Sequence, residues 1–240
     1  MSKILDSYSV LAPFYDKLIS GYPYEKAIGF ICDKVGRKGI DLGTGSGKFA
    51  IALSEKGHSV VGVDSSSQML EFARKNAKER GVSPIFVMSD MMELDFTRVD
   101  FVLAMCDVFN YLSGYKDFET LAKRIFGALN DKGCLIFDVS SEYKLKNMAG
   151  EQYFEDREDI TYLWCNSLHK NKLTMNIAYF IPESGEKYVR RDEVHEMFVY
   201  DADKLVDILT KIGYTIKVYG EKLTKLKEKS NRVFFFCEKK

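Results

Sequence analysis

Residues 40–47 read Ile40-Asp41-Leu42-Gly43-Thr44-Gly45-Ser46-Gly47, with an apolar run before them and a helical period after them. A short strand ending near Leu42 therefore turns through three glycines into a helix that Gly57 closes. Glycine permits positive φ and lets a ligand approach the backbone with no Cβ in the way. The helix beyond offers free N–H groups and the positive end of its dipole. Spacing separates the ligands that such turns hold. A phosphate-cradling P-loop needs G-x-x-x-x-G-K-[ST]; here Gly47-Lys48 is present, but Leu42 replaces the first glycine and Phe49 the magnesium-binding hydroxyl. A dinucleotide turn needs G-x-G-x-x-G, and Lys48 stands where its third glycine belongs.

Outward from this turn, strand and helix signals alternate. Upstream, Leu11, Phe14, Tyr15 and Leu18 make a helical stripe, and a second helix follows Pro23. Downstream come a β-rich run at 59–63 and a helix in which Met69, Ala73 and Ala77 share a face. Residues 84–88 and 100–105 read as further buried strands. Phe118, Leu121, Ala122, Ile125 and Leu129 then recur at helical spacing before the apolar run 134–139. This order predicts an α/β fold: a Rossmann-like, doubly wound, mostly parallel sheet with helices on both faces.

Past residue 150 the period becomes two. Leu173, Met175, Ile177, Tyr179 and Ile181 alternate with Thr174, Asn176, Ala178 and Phe180, and similar runs lie at 160–168 and 188–199. Turn signals at Lys170-Asn171 and Ser184-Gly185 join them. A three-stranded antiparallel patch is expected, inserted at 149–198 over the functional site that the sheet builds, with 1–148 and 199–240 forming the main domain. The helical period returns at Leu205, Ile208, Leu209 and Ile212, stopped by Gly213, and strands at 215–219 and 232–237 follow.

Composition bounds the rest. With 35 basic and 35 acidic side chains there is no overall field to attract polyanions, and lysines 217–229 are interrupted by Glu221 and Glu228, as on a solvated face. No apolar run is long enough to span a membrane. The start, MSKILDSYSVLAPFYD, lacks the pattern of a secretion signal, so a cytoplasmic location is expected. Cys32, Cys106, Cys134, Cys165 and Cys237 are odd in number and never form CxxC, which speaks against a disulfide framework or structural zinc. His58 and His169 show no ligand spacing, so no metal is expected.

Two further strand ends carry acids. Val60-Val61-Gly62-Val63-Asp64 puts a carboxylate 17 residues beyond Gly47, where it can accept both hydroxyls of a ribose or cap the helix starting at Ser65 or Ser66. Ser89-Asp90-Met91 follows the third strand. Ligands of open α/β sheets collect where such ends converge. With DLGxGxG at 41–47 and these acids in order, residues 40–139 resemble the class I S-adenosylmethionine-dependent methyltransferases. The resemblance implies S-adenosylmethionine as cofactor, its methionine part and ribose against the glycine turn. Asp90 would take the adenine amino group while Met91 packs on the ring. The implied cofactor residues are Tyr8, Asp41, Gly43, Thr44, Gly45, Gly47, Asp64, Ser65, Met69, Asp90, Met91 and Cys106; at Thr44 many relatives carry Cys.

The segment Ala104-Met105-Cys106-Asp107-Val108-Phe109-Asn110-Tyr111-Leu112 corresponds to the family's motif IV, beside the transferable methyl. It lacks the [DN]-P-P-[FYW] signature used on nucleobases and looks more like small-molecule enzymes. Asp107 and Asn110 are the catalytic candidates, as base or orienting groups; a cap for Asp107 and backbone bonding for Asn110 are the plainer alternatives. Tyr8 and Tyr15 flank a helix that, in similar enzymes, closes like a lid. Tyr15, Tyr111, Arg191 and His195 are the candidate acceptor contacts. Arg191 and His195 share a strand face and could grip an anionic acceptor, or simply form a solvated face. The expected activity is methyl transfer to a small molecule by a monomer or homodimer. Methylation of tRNA or protein, and a non-catalytic module that binds the cofactor, are the alternatives; nucleic acid is disfavoured but stays open.

Overall fold

The structure is a computed structural model that describes residues 4–5, 14, 21–183 and 187–240. Its larger sheet contains β2 (Lys38–Leu42), β3 (Ser59–Asp64), β4 (Ile85–Met88), β5 (Val99–Ala104), β6 (Leu129–Ser140), β11 (Tyr214–Tyr219) and β12 (Arg232–Lys239), in the order β11-β12-β6-β5-β2-β3-β4. β12 alone runs against its neighbours β6 and β11; the other pairings are parallel. Parallel neighbours need crossovers, supplied here by α2 (Lys48–Glu55), α3 (Ser67–Glu79) and α4 (Tyr115–Ala128). α1 (Tyr24–Cys32), α5 (Glu142–Asn147) and α6 (Ala202–Ile212) complete the helices described. Gly213, at φ 119°, ends α6 in the left-handed conformation, and Asp201 caps its start by accepting from Asp203 and Lys204 N–H.

Both faces of the sheet are covered, which explains its unbroken apolar runs. Along β12, Val233, Phe235 and Cys237 enter a core with Phe118, Leu121, Leu205 and Leu209 of α4 and α6. The alternate residues Phe234 and Phe236 enter the opposite core with Ala27, Ile31, Phe49 and Leu53 of α1 and α2. Phe137 and Phe235, paired across β6 and β12, stack with centroids 4.5 Å apart. β4 corrects the expectation of a buried strand: it is the sheet's edge, with Ile85 and Met88 63% and 64% exposed. An apolar letter run does not reveal which strand has only one neighbour.

The second sheet has the order β1-β10-β9-β8-β7, from β1 (Ile4–Leu5), β7 (Gln152–Asp156), β8 (Thr161–His169), β9 (Lys172–Pro182) and β10 (Tyr188–Phe198). Its antiparallel part has four strands, one more than expected, because β7 is mostly exposed and carries no alternation to read. β1 adds to β10 in parallel. Lys170, at φ 54°, turns the β8–β9 hairpin where the sequence predicts. The inward side of the sheet contributes Leu173, Met175 and Met197, which pack on Leu145 of α5. The stripe Leu11–Leu18 falls largely outside the described residues, as does the Ser184-Gly185 turn.

Candidate active site

The loops after β2, β3 and β4 meet at one rim of the larger sheet. Gly43 and Gly45 have φ of 60° and 54°, values that side-chain-bearing residues rarely adopt. A Cβ on Gly43 would lie 2.4 Å from Val108 Cγ2, so the turn seats directly on the segment after β5. A Cβ on Gly45 would meet nothing nearer than Gly43 O at 4.0 Å; it would project into the open crevice. Asp64 ties this turn to β3, its Oδ2 accepting from Gly45 N–H at 2.8 Å and its Oδ1 from Ser66 N–H at 2.9 Å. Burial pushes the Asp64 carboxyl up, while the N–H groups of Ser66, Gly45 and Ser65 pull it back. Beneath the turn, buried Asp41 accepts from Thr44 Oγ1 at 2.6 Å. Burial raises its carboxyl to about 7, against the bonds from Thr44 and Ala50 N–H.

The resulting crevice holds about 220 Å³ and is walled by Gly43, Gly45, Asp64, Ser65, Met69, Asp90, Met91, Cys106 and Tyr111. Asp90 there accepts from Met92 N–H at 2.7 Å, which orients its carboxylate. Asp41, Thr44 and Gly47 are not among the residues that wall this crevice. Tyr8 and Tyr15 lie outside the described residues.

A second cavity of about 520 Å³ adjoins the first, and Tyr111 lines both. Trp164, Met175 and Met197, from β8, β9 and β10, roof it; Lys144 flanks it; Tyr22, Asp107 and Arg232 lie on the opposite side. The partition between the two spaces is the pair Cys106 and Asp107, both left-handed at φ 64° and 67°. Such backbone costs on the order of 1–3 kcal/mol per residue and persists only where its surroundings enforce it. Buried Asp138 does so, accepting Cys106 N–H at 3.2 Å and Asp107 N–H at 2.9 Å. The turn thereby presents Cys106 to the crevice and Asp107 to the cavity.

Arg232 neutralises this cluster. Its guanidinium donates to both oxygens of Asp107 and, at 2.6 Å, to Asp138 Oδ1, while Tyr22 OH donates to Asp138 Oδ2. Burial by itself would raise the Asp107 carboxyl, but Arg232, helped by Lys144, holds it below the ordinary range. Asp138 goes the other way, pushed up by burial against the pull of Arg232. Burial also lowers Lys144, whose ammonium donates to Ser140 Oγ at 3.0 Å.

Two candidate residues take the plainer of their alternatives. Asn110 is wholly buried and spends its amide on backbone: Oδ1 accepts from Ser140 N–H at 3.0 Å and Nδ2 donates to Phe198 O at 2.9 Å. It pins the Val108–Tyr111 turn to β6 and β10 and lines neither space. Arg191 is exposed, donates to Arg190 O, and also lines neither. It shares its face with His195 as predicted, but lies four residues farther along the strand, where burial has ended. His195 is buried, its Nδ1 3.3 Å from Tyr111 OH and its Nε2 3.1 Å from Glu193 Oε2.

Tyr22, Asp138, Lys144, Trp164, Glu193 and Arg232 were not singled out from sequence. Asp138 carried a signal, as the one charged residue in the apolar run 134–139. So did Glu193, which falls on the inward alternation with His195 and Met197. Arg232 gave none, being distant in sequence from both acids. Among the described residues there is no cluster of metal-ligating side chains, and no helix long and apolar enough to cross a membrane.

Residues 40–133 match the family described as "Methyltransferase domain". Over 246 residues the chain is 33% identical to a protein of Geobacillus sp. strain WCH70 that is named as a methyltransferase with no acceptor given; the match covers 97% of this chain and 100% of that one. A crystal structure of an S-adenosylmethionine-dependent methyltransferase from Clostridium acetobutylicum ATCC 824 superimposes with a TM-score of 0.86, at 26% identity over 97% of this chain and 98% of that one. CalS10 of Micromonospora echinaspora, an amino pentose methyltransferase solved with S-adenosylmethionine bound, shares the fold with a TM-score of 0.74, at 14% identity over 99% of each chain.

Proposed function

The chain belongs to the class I S-adenosylmethionine-dependent methyltransferases, and from that premise we propose that it methylates a small molecule held in the cavity roofed by the antiparallel sheet. The observation that carries this reading is the shared wall: a roofed space of about 520 Å³ opens beside the crevice at Tyr111. That volume is of the size that binds small ligands. CalS10, alike in fold, acts on an amino pentose, an acceptor of this size class.

The crevice suits the cofactor. Gly45 leaves free the space that a Cβ would fill, and Asp64 keeps lone pairs beyond those spent on backbone N–H groups. We assign Asp64 to the ribose hydroxyls, Asp90 to the adenine amino group, and Met69 and Met91 to apolar contact with the ring. When bound, S-adenosylmethionine supplies a methyl group already activated by a positive sulfur. The protein's own residues then have three tasks: to hold the acceptor, to keep water out, and to aim the accepting atom. Aim alone is worth up to about 7–11 kcal/mol. Trp164, Met175 and Met197 exclude water. Asp107 orients rather than deprotonates, because a carboxyl held low by Arg232 is a weak base.

The test is to incubate the purified protein with methyl-labelled S-adenosylmethionine and separated metabolite, RNA and protein fractions. Label in the metabolite fraction supports the reading. Label confined to RNA or protein contradicts it.

A further inference from the structure

Building on the acceptor cavity proposed above, we infer that Tyr111, His195 and Glu193 form a proton relay. Tyr111 is the catalytic residue that takes the proton of the acceptor, and His195 and Glu193 are positioning residues that receive the phenol's own proton. The acceptor is accordingly a protic nucleophile, an amine or hydroxyl, and not a ring carbon.

Placement comes first. Tyr111 closes the Val108–Tyr111 turn and lines both the crevice and the cavity, so its phenol stands where donor and acceptor meet. Behind it polar groups lead inward. Tyr111 OH lies 3.3 Å from His195 Nδ1, His195 Nε2 lies 3.1 Å from Glu193 Oε2, and Tyr179 also bonds to Glu193. His195 is 2% exposed and Glu193 0%.

Cost comes second. Glu193 and His195 occupy successive inward positions of β10, a face that is otherwise apolar at Met197. Burying two polar side chains carries a desolvation cost that apolar residues of similar volume would avoid. This pair ends at a cavity-lining phenol, so its hydrogen bonds reach the acceptor space.

Tautomer comes third. A carboxylate only accepts, so Glu193 fixes the proton on Nε2 and leaves the Nδ1 lone pair for Tyr111 OH. In the step, the acceptor's lone pair forms the new bond to the methyl carbon. The carbon–sulfur bond breaks with its electron pair going to sulfur. The acceptor's proton passes to Tyr111 Oη as the phenol's proton passes to Nδ1. One positive charge is lost at sulfur and one appears on His195, facing Glu193.

The test has two arms. Nitrogen NMR of histidine-labelled protein, with the His195 signal identified by its loss in H195N, should show Nε2 protonated and Nδ1 bare, a preference that E193L, which has no acceptor, abolishes. Protonated Nδ1 would overturn the relay without any acceptor present. The second arm measures labelled methyl transfer at saturating cofactor, using whichever cell fraction takes label. Y111F should lower the maximal rate by about 10²–10⁴-fold, the range of general base catalysis, with the apparent KM for S-adenosylmethionine within about threefold. E193Q should lower the rate in the same direction while binding the cofactor normally by calorimetry. A Y111F rate within about threefold of wild type would overturn the relay. Label in a macromolecular fraction would overturn the small-molecule reading and leave that comparison intact.

Discussion

Arg232 and Asp107, 125 residues apart in sequence, meet in a two-point contact in which Nη1 reaches Oδ1 and Nη2 reaches Oδ2, the latter at 3.0 Å. The same guanidinium reaches Asp138, so one cation bridges an acid of the left-handed turn and the buried acid that holds that turn.

Removing that cation leaves buried carboxylates unpaired. Arg232→Met is expected to cost about 3–5 kcal/mol of folding stability at pH 7, measured by urea denaturation. The sign with pH follows from Asp107, whose folded carboxyl lies below its unfolded value of 3.8. Its stabilisation is complete above about pH 4 and lost as pH falls through the folded value. The deficit of the variant should therefore shrink in acid. A deficit under about 1 kcal/mol at pH 7 would show that the cluster does not depend on Arg232.

Asp41 predicts the opposite slope. Its folded carboxyl, raised by burial to about 7 against an unfolded 3.8, favours the folded state below about pH 4 and loses that advantage as pH rises through 7. Across that window wild-type stability should fall by up to about 4 kcal/mol on account of this group. Asp41→Asn, which can still accept from Thr44, should remove most of the decline. Parallel stability curves for the two proteins would refute it.

Gly45 and Gly57 separate backbone strain from ligand space. Both are left-handed, at φ 54° and 89°, and a Cβ at Gly57 meets nothing within 4 Å. Each change to Ala should cost roughly 1–2 kcal/mol of stability. Only Gly45→Ala should also weaken S-adenosylmethionine binding in calorimetry, because its Cβ enters the crevice. Equal affinities in the two variants would remove Gly45 from the cofactor wall.

Asn110→Ala tests the backbone-bonding role of this amide. It strips bonds from the buried Ser140 N–H and Phe198 O, so a loss of about 1–3 kcal/mol is expected in urea. Wild-type stability would reopen a direct part for Asn110 in the chemistry.

Much of the fold was legible because its signals are local. β2, β3, β5 and the second half of β6 are short apolar runs, whereas Leu129, on the helical stripe in sequence, already begins β6; Gly213 stops a helix, and the three glycines mark a turn. Asp64 and Asp90 were legible as acids at strand ends, which periodicity alone locates. What escaped depends on pairing between distant segments. β4 reads like an inner strand but lies at the edge, β7 joins the second sheet with no alternation, and Arg232 finds Asp107 only after β12 lies against β6. Asn110 has the chemistry of a catalytic group; only the position of Phe198 O, supplied by β10, gives its amide to the backbone.

The central claim is that the rim formed by Gly45, Asp64 and Asp90 grips S-adenosylmethionine. Calorimetric titration with that compound, on the wild type and on Asp64→Ala, addresses it most directly. The wild type should bind one equivalent per chain. Asp64→Ala loses charge-assisted bonds worth about 1.5–3 kcal/mol each and should bind about 100-fold more weakly or worse. No heat from the wild type at millimolar ligand, or equal affinity in the two proteins, would contradict it.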